Sequence, residues 1–335
     1  MSDVLTVNKL KAYYIMNYFG TKREVRAVDN VSLTIRKNEI YGIAGESSSG
    51  KTSLIKVFAA AMRPPFEIVD GDIKFDFGDV KIDPYAEDKS KVDALRWSHF
   101  SYIMQGSMSV LNPVRKIGKT FEDFALKPMG VSKAAFKPLV IEHLEKLKLS
   151  PDILNSYPHE LSGGMRQRVT IALATVCRPK FIIADEPTTA LDVVVQKEVL
   201  SMIRGIQQEM GSSVVFVTHD MSVHANITDR IGIFYAGRLV EEGPTKLMFE
   251  QPKHPYTYHL VSSIPRIGDT QRRTSLEGKP PSLATPPNGC RFHPRCPIAT
   301  DKCSQENPEL IDIGQGRRVA CFHSDKVKPL AEAIQ

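Results

Sequence analysis

Apolar and polar residues alternate from Val4 to Tyr14, a period of two that predicts a strand ending in the pair Tyr13-Tyr14. A polar turn region follows from Asn17 to Arg26, and the alternation resumes from Ala27 to Ile35 as a second strand. Ile40 to Ala44 is an unbroken apolar, β-prone run, and Thr52 to Met62 reads as a helix stopped by Pro64-Pro65. Residues 66–104 predict an antiparallel sheet extension with a charged loop (83–91) and a strand over His99–Met104. From Val114 to Leu149 the period is helical, and Ala134 to Leu149 is amphipathic. Two further apolar runs, Phe181–Ala184 and Ser213–Val217, end in polar groups: Asp185-Glu186 in one case, Thr218-His219-Asp220 in the other. That is the pattern of buried parallel strands whose C-terminal ends face a ligand. A helix is predicted over Val193–Met210, and Ala236-Gly237 joins Ile231–Tyr235 to Arg238–Glu242 as a hairpin. The alternation of strands and helices predicts an α/β fold with a mainly parallel sheet covered on both faces.

Past residue 250 the pattern changes, because nine prolines between Pro252 and Pro297 break any long element. This tail has too little apolar periodicity for a conventional core, so a metal would be what organises it. Four of the five cysteines, Cys290, Cys296, Cys303 and Cys321, fall in it; Cys177 sits alone in an apolar segment as a small core residue. In a reducing compartment, clustered thiols point to metal ligation before disulfides. The 335 residues suit one large and one small domain, 1–250 and 251–335. The start Met1-Ser2-Asp3-Val4 is unlike a signal peptide and no long apolar run occurs, so the expected place is the cytosol, with membranes reached through partners. The net charge of +6 comes without a clustered basic face, only scattered pairs such as Arg317-Arg318, which argues against nucleic-acid binding.

The chemistry centres on Gly45-Glu46-Ser47-Ser48-Ser49-Gly50-Lys51-Thr52, which follows a predicted strand, opens a predicted helix and fits the phosphate-loop pattern G-x-x-x-x-G-K-[ST]. Glycines let successive N–H groups turn toward phosphate oxygens, and the helix adds its positive end. Lys51 would meet the β- and γ-phosphates and Thr52 would meet Mg2+, with Ser53 behind them in the first turn. Ser48 inside this loop would carry strain if φ is positive there.

With the phosphate loop, Leu161-Ser162-Gly163-Gly164, Asp185-Glu186 and His219 in this order, the chain resembles, over nearly its full length, the nucleotide-binding subunit of an ATP-binding cassette (ABC) transporter. The resemblance implies a P-loop NTPase fold: a RecA-like core with an antiparallel β subdomain and a helical subdomain at about 107–180, plus a small cysteine-containing C-terminal domain. It implies roles too. Asp185 holds Mg2+ together with Thr52, Glu186 is the general base that polarises the attacking water, and His219 contacts the γ-phosphate. Gln105 matches the glutamine that approaches Mg2+ and that water, and Tyr14, with Tyr13 as second choice, matches the aromatic that stacks on adenine. Pro187 to Asp192 matches the D-loop region. In this family Ser162, Gly163 and Gly164 of one ATPase close on ATP held by another, so a second related ATPase subunit is implied.

Leu111-Asn112-Pro113, His254-Pro255-Tyr256-Thr257 and the Cys290-to-Pro297 segment resemble the oligopeptide/dipeptide importer branch, which includes nickel and oligosaccharide importers. Its partners are two permease subunits and an extracytoplasmic solute-binding protein, placing the chain at the cytoplasmic face of the cell membrane. The spacing C-x5-C-x6-C-x17-C differs from the paired C-x2-C of zinc ribbons. ATPases of this branch carry a [4Fe-4S] cluster here, so a structural cluster is the resemblance's implication, with zinc, and free or paired thiols, as the alternatives. His293 and His323 read as surface residues beside it.

Overall fold

The computed structural model describes residues 2–18, 20–104, 110–189, 191–264 and 276–328. In chain order its strands are β1 (Asp3–Tyr18), β2 (Thr21–Arg36), β3 (Ile40–Ala44), β4 (Phe66–Asp76), β5 (Lys81–Ile82), β6 (Phe100–Ile103), β7 (Phe181–Asp185), β8 (Ser213–Val217), β9 (Arg230–Tyr235), β10 (Arg238–Pro244), β11 (Ile311–Asp312) and β12 (Arg318–Val319). The chain divides into two compact units.

One unit comprises residues 1–4, 35–39 and 75–215. Here β6 runs parallel to β7, with Tyr102 opposite Ile183 and Ile103 opposite Ala184, and β8 lies on the other side of β7. Every residue of β7 is buried, which explains its unbroken apolar sequence. Helices follow the predicted places: Lys133–Lys146 buries Phe136, Val140, His143 and Leu144 at helical spacing, and Val193–Met210 matches its expected bounds.

The other unit comprises residues 5–34, 40–74 and 216–335. β2, β1 and β4 are neighbours in one sheet, and β11, β12, β10, β9 and β3 follow each other in a second. β3 is parallel to β9, whereas β9 and β10 form the expected hairpin, whose turn residues Ala236 and Gly237 have φ of 47° and 83°. A bulge between Leu239 and Glu241 shifts the register of β10. The tail joins this sheet, since β12 pairs with β10 through Glu241–Val319 and Glu242–Arg318.

Several sequence expectations change, among them the stretch 66–104 read as sheet and loop, which contains a helix over Lys89–Ala94. The turn expected over 17–26 is much shorter than read: β1 continues to Tyr18, Gly20 is a turn residue and β2 already begins at Thr21, with the polar side chains of Thr21–Arg26 exposed or half-buried along it. The phosphate-loop helix ends at Phe58 rather than Met62, where Ala60 takes a left-handed φ of 48°.

Candidate nucleotide site and cysteine pocket

In the unit that holds the phosphate loop, β3 delivers five buried residues to Gly45. A side chain at Gly45 would place its Cβ 2.1 Å from the Phe234 carbonyl, and one at Gly50 2.0 Å from that of Ala27, so both positions demand glycine. Ser48 is exposed with φ 64°, the left-handed backbone its neighbours' pattern foreshadowed, at a cost of about 1 kcal/mol. Glu46 and Ser47 lie between. Ser49 and Ser53 are buried and Thr52 is exposed. The buried Lys51 ammonium donates to Gly45 O at 2.6 Å, Glu46 O at 2.8 Å and Ser49 Oγ at 3.3 Å. No side chain caps the helix Lys51–Phe58, which leaves its first N–H groups for an anion.

Tyr14 is half-buried, stacks on Phe66 at 4.4 Å between centroids, and brings its hydroxyl to 3.3 Å from Ser53 Oγ. Tyr13 is buried and donates to Asp29 at 2.6 Å, which removes it as a platform for a base. His219 is exposed just past β8. Beneath it lies a histidine that sequence reasoning missed: His224 is fully buried, its Nε2 is 3.2 Å from Thr218 O, and burial pushes its pKa down to about 4. Gly42 makes room for that ring, because a Cβ there would approach His224 Nδ1 to 2.7 Å.

The other unit carries the carboxylates. Asp185 ends β7 nearly buried and accepts from the Tyr102 hydroxyl at 2.9 Å; that phenol is pushed up in pKa by burial and by the carboxylate. Glu186 has φ 46° and accepts from Thr189 Oγ1 at 2.8 Å, so the backbone is strained directly after the strand end. Gln167, three residues past Gly164, donates to Pro187 O at 2.5 Å. Ser162 caps the helix Gly163–Thr175 by accepting from Met165 N at 3.3 Å, and Asp192 caps Val193–Met210 through Val194 N and Val195 N at 3.0 and 2.9 Å. A Cβ on Gly164 would meet Val195 Cγ1 at 3.2 Å, so the signature helix packs on the one that follows the D-loop segment. Gln105 lies outside the described residues.

Cys290, Cys296, Cys303 and Cys321 line one pocket together with Phe292 and Pro308, and none of the four is in a disulfide. Backbone N–H groups of Phe292 and His293 point at the Cys290 sulfur, that of Ile298 at Cys296 and that of His323 at Cys321; burial outweighs them and raises all three thiols, Cys321 to about 12. Among the described residues, no three His, Cys, Asp or Glu side chains converge as a site for a single metal ion. His293 and His323 also line this pocket, but their rings are engaged with Cys290 O at 2.9 Å and Thr300 Oγ1 at 3.0 Å.

Arg317 and Arg318, a scattered basic pair in the sequence, are both held by carboxylates in the fold. Arg317 is buried and donates to the fully buried Glu241 at 2.9 Å, while Arg318 donates to buried Glu242 at 2.7 Å. The bulge and the buried glutamates it carries had no sequence signal beyond two acidic residues in a β run.

A model of the ABC transporter family matches residues 28–189, and one of the oligopeptide/dipeptide transporter C-terminal region matches 240–303. The chain is 38% identical to the oligopeptide transport ATP-binding protein AppD of Bacillus subtilis, over 96% of this chain and 97% of that one. It is 36% identical to the dipeptide transport ATP-binding protein DppD of Caldanaerobacter subterraneus, over 98% and 100%. Among solved structures, a dimeric bacterial ABC transporter cassette aligns with a TM-score of 0.60 and 25% identity, over 72% of this chain and 98% of that one. A cassette in a post-hydrolysis state with ADP and phosphate aligns at 0.59 with 24% identity, over the same shares, and supports the fold. The shared glycine-lysine loop, the strand-end carboxylates and this full-length kinship place the chain in the ABC transporter ATPase family, among the oligopeptide/dipeptide transport ATP-binding proteins.

Proposed function

We propose that this chain is the ATP-hydrolysing subunit of a membrane importer of oligopeptides or dipeptides, paired with a second, related ATPase and docked on two permease subunits at the cytoplasmic face. The observation that carries the reading is end-to-end kinship with peptide-transport ATPases in a chain whose phosphate loop, signature and strand-end carboxylates are all intact. Among the described residues no helix is long and apolar enough to cross a membrane, so attachment falls to the permeases, which accept peptide from an extracytoplasmic binding protein.

In the cycle, Lys51 and the N–H groups of 46–53 bind the phosphates and Tyr14 stacks on adenine. Thr52, Asp185 and Gln105 would be the oxygen donors that hold Mg2+, which would neutralise phosphate charge. Tyr102 holds Asp185 in place. Glu186, steadied by Thr189, takes the proton of the attacking water, and His219 meets the γ-phosphate. Ser162, Gly163 and Gly164 close on the nucleotide of the second ATPase. Val193 and Val194, 79% and 71% exposed beside the Asp192 cap, support an apolar face covered in that pair. The dimeric solved cassette supports it too.

The reading extends to the cysteine pocket, which we assign to a [4Fe-4S] cluster, with zinc as the alternative. Zinc needs all its sulfurs within about 2.3 Å of one ion, whereas a cluster lets each thiolate take its own iron, and N–H groups aimed at the sulfurs suit it. Its role is to staple a proline-rich segment. The test is co-purification from native membranes in mild detergent. Recovery of two multi-span proteins and a second ATPase, with peptide-stimulated ATP hydrolysis and with iron and acid-labile sulfide in the anaerobically purified chain, supports the assignments. Soluble partners alone refute the importer, and a folded, iron-free chain refutes the cluster.

A further inference from the structure

We propose that the cysteine-bearing segment 290–296 is a two-point clamp on the phosphate loop, with Arg295 and Arg291 as positioning residues, so that ATP affinity and the order of the cysteine pocket are linked. This deepens the ATPase reading above and rests on it.

The front of the loop is held at Glu46. Arg295, 6% exposed at its side chain, donates through Nη1 to Glu46 Oε2 at 2.8 Å and through Nη2 to Oε1 at 3.1 Å. The Glu46 main-chain N–H donates to the Tyr256 hydroxyl at 2.7 Å. Both side chain and backbone of the loop's second residue are therefore gripped from the tail. The electrostatics give the grip a purpose. A carboxylate inside a loop built to receive phosphate charge works against the ligand, and a bidentate guanidinium cancels it.

The rear of the loop is held through the β9–β10 turn. Arg291 donates to Ala236 O and to Asp29. The next turn residue, Gly237, donates to Ser49 O at 2.8 Å, and its own carbonyl accepts from Asp29 N at 2.8 Å. Arg291 thus presses the turn that carries the far end of the loop.

The two arginines are chain neighbours of Cys290 and Cys296, whose thiols face the shared pocket. Between them Phe292 is buried against Tyr235 and Tyr256, at centroid distances of 5.2 and 5.5 Å. Disordering the pocket therefore releases both grips. By linkage, bound ATP must in turn hold the pocket together.

The test uses the full chain as purified, with affinity for a fluorescent ATP analogue and a thermal melt measured together. Arg295→Ala should weaken binding about tenfold, and Arg295→Lys should recover part of it. Adding Glu46→Gln to Arg295→Ala should restore most of the affinity, because it removes the stranded charge; a merely structural defect would not respond so. In the wild type, saturating MgATP should slow loss of the pocket's order several-fold, read as chelator-driven release of iron from a cluster-loaded chain or as iodoacetamide modification of the four cysteines in a metal-free one, and Arg295→Lys should reduce that protection. Wild-type affinity in Arg295→Ala, or no rescue by Glu46→Gln in a chain with a native melt, overturns the clamp. Should Arg295→Ala melt early, Arg295→Lys decides: unchanged affinity and protection overturn the proposal. A folded wild type that binds no ATP would overturn the nucleotide reading itself and the clamp with it.

Discussion

Replacing Arg317 with methionine tests the tail's attachment most directly. The Glu241 carboxylate is fully buried and accepts three bonds at 2.9 Å, from Lys253 N, His254 N and Arg317 Nη2. Arg317 also donates to Gln251 O at 2.6 Å. Methionine keeps most of the volume and removes the one countercharge that, among the described residues, directly contacts that carboxylate. Breaking such a buried pair costs about 3–5 kcal/mol, which for a unit of this size is a melting shift of roughly 10 °C. The pH dependence follows in sign. Burial already raises the Glu241 pKa above its ordinary 4.5, and losing Arg317 raises it further. A raised acid contributes stability below its unfolded pKa and loses it as pH rises through the folded value. The variant's deficit, read by urea unfolding, should therefore be larger at pH 7.5 than at pH 5. Glu241→Gln together with Arg317→Met should recover most of it. A deficit under about 1 kcal/mol, or one that does not change with pH, would refute the argument.

The remaining predictions concern the site and its supports. Glu186→Gln should bind ATP normally while phosphate release falls by about 10^2–10^4, measured in single-turnover and steady-state assays. Gly50→Ala should abolish detectable nucleotide binding, because its Cβ would lie 2.0 Å from Ala27 O at a φ of 98°. His143 and His224 are buried with pKa values lowered to about 4, so the native state keeps them neutral while the unfolded chain protonates them near 6.5. The stability they contribute is complete above pH 6.5 and is lost as pH falls toward 4, about 2 kcal/mol each by pH 5. His143→Phe should flatten that slope by close to half in urea titrations.

The elements legible in the sequence were those fixed by one dominant local signal. Phe181–Asp185 and Ser213–Val217 are apolar throughout because they are buried throughout, and Val193–Met210 is bracketed by an Asp cap and a left-handed glycine, Gly211. The phosphate loop was legible because its two glycines answer steric demands that no other residue meets. The stretch 17–26 misled because polarity there marks exposure along a hairpin arm, and exposure is independent of backbone state.

What escaped the sequence is the work of charge paired across long separations. Arg291 with Asp29, Arg295 with Glu46, and Arg317 and Arg318 with Glu241 and Glu242 join residues 76 or more apart, and no periodicity announces such partners. The tail's apolar anchors, Tyr256, Val261 and Phe292, join a core cluster with Ile231, Ile233 and Tyr235, and guanidinium groups reaching to carboxylates add to that hold. Arginine suits that task because its planar fork satisfies two acceptors at once and never sheds its proton. The same logic explains why the cysteines alone were legible there. Thiols of one kind in one short segment declare a shared pocket, while an arginine declares nothing until the fold supplies its acid.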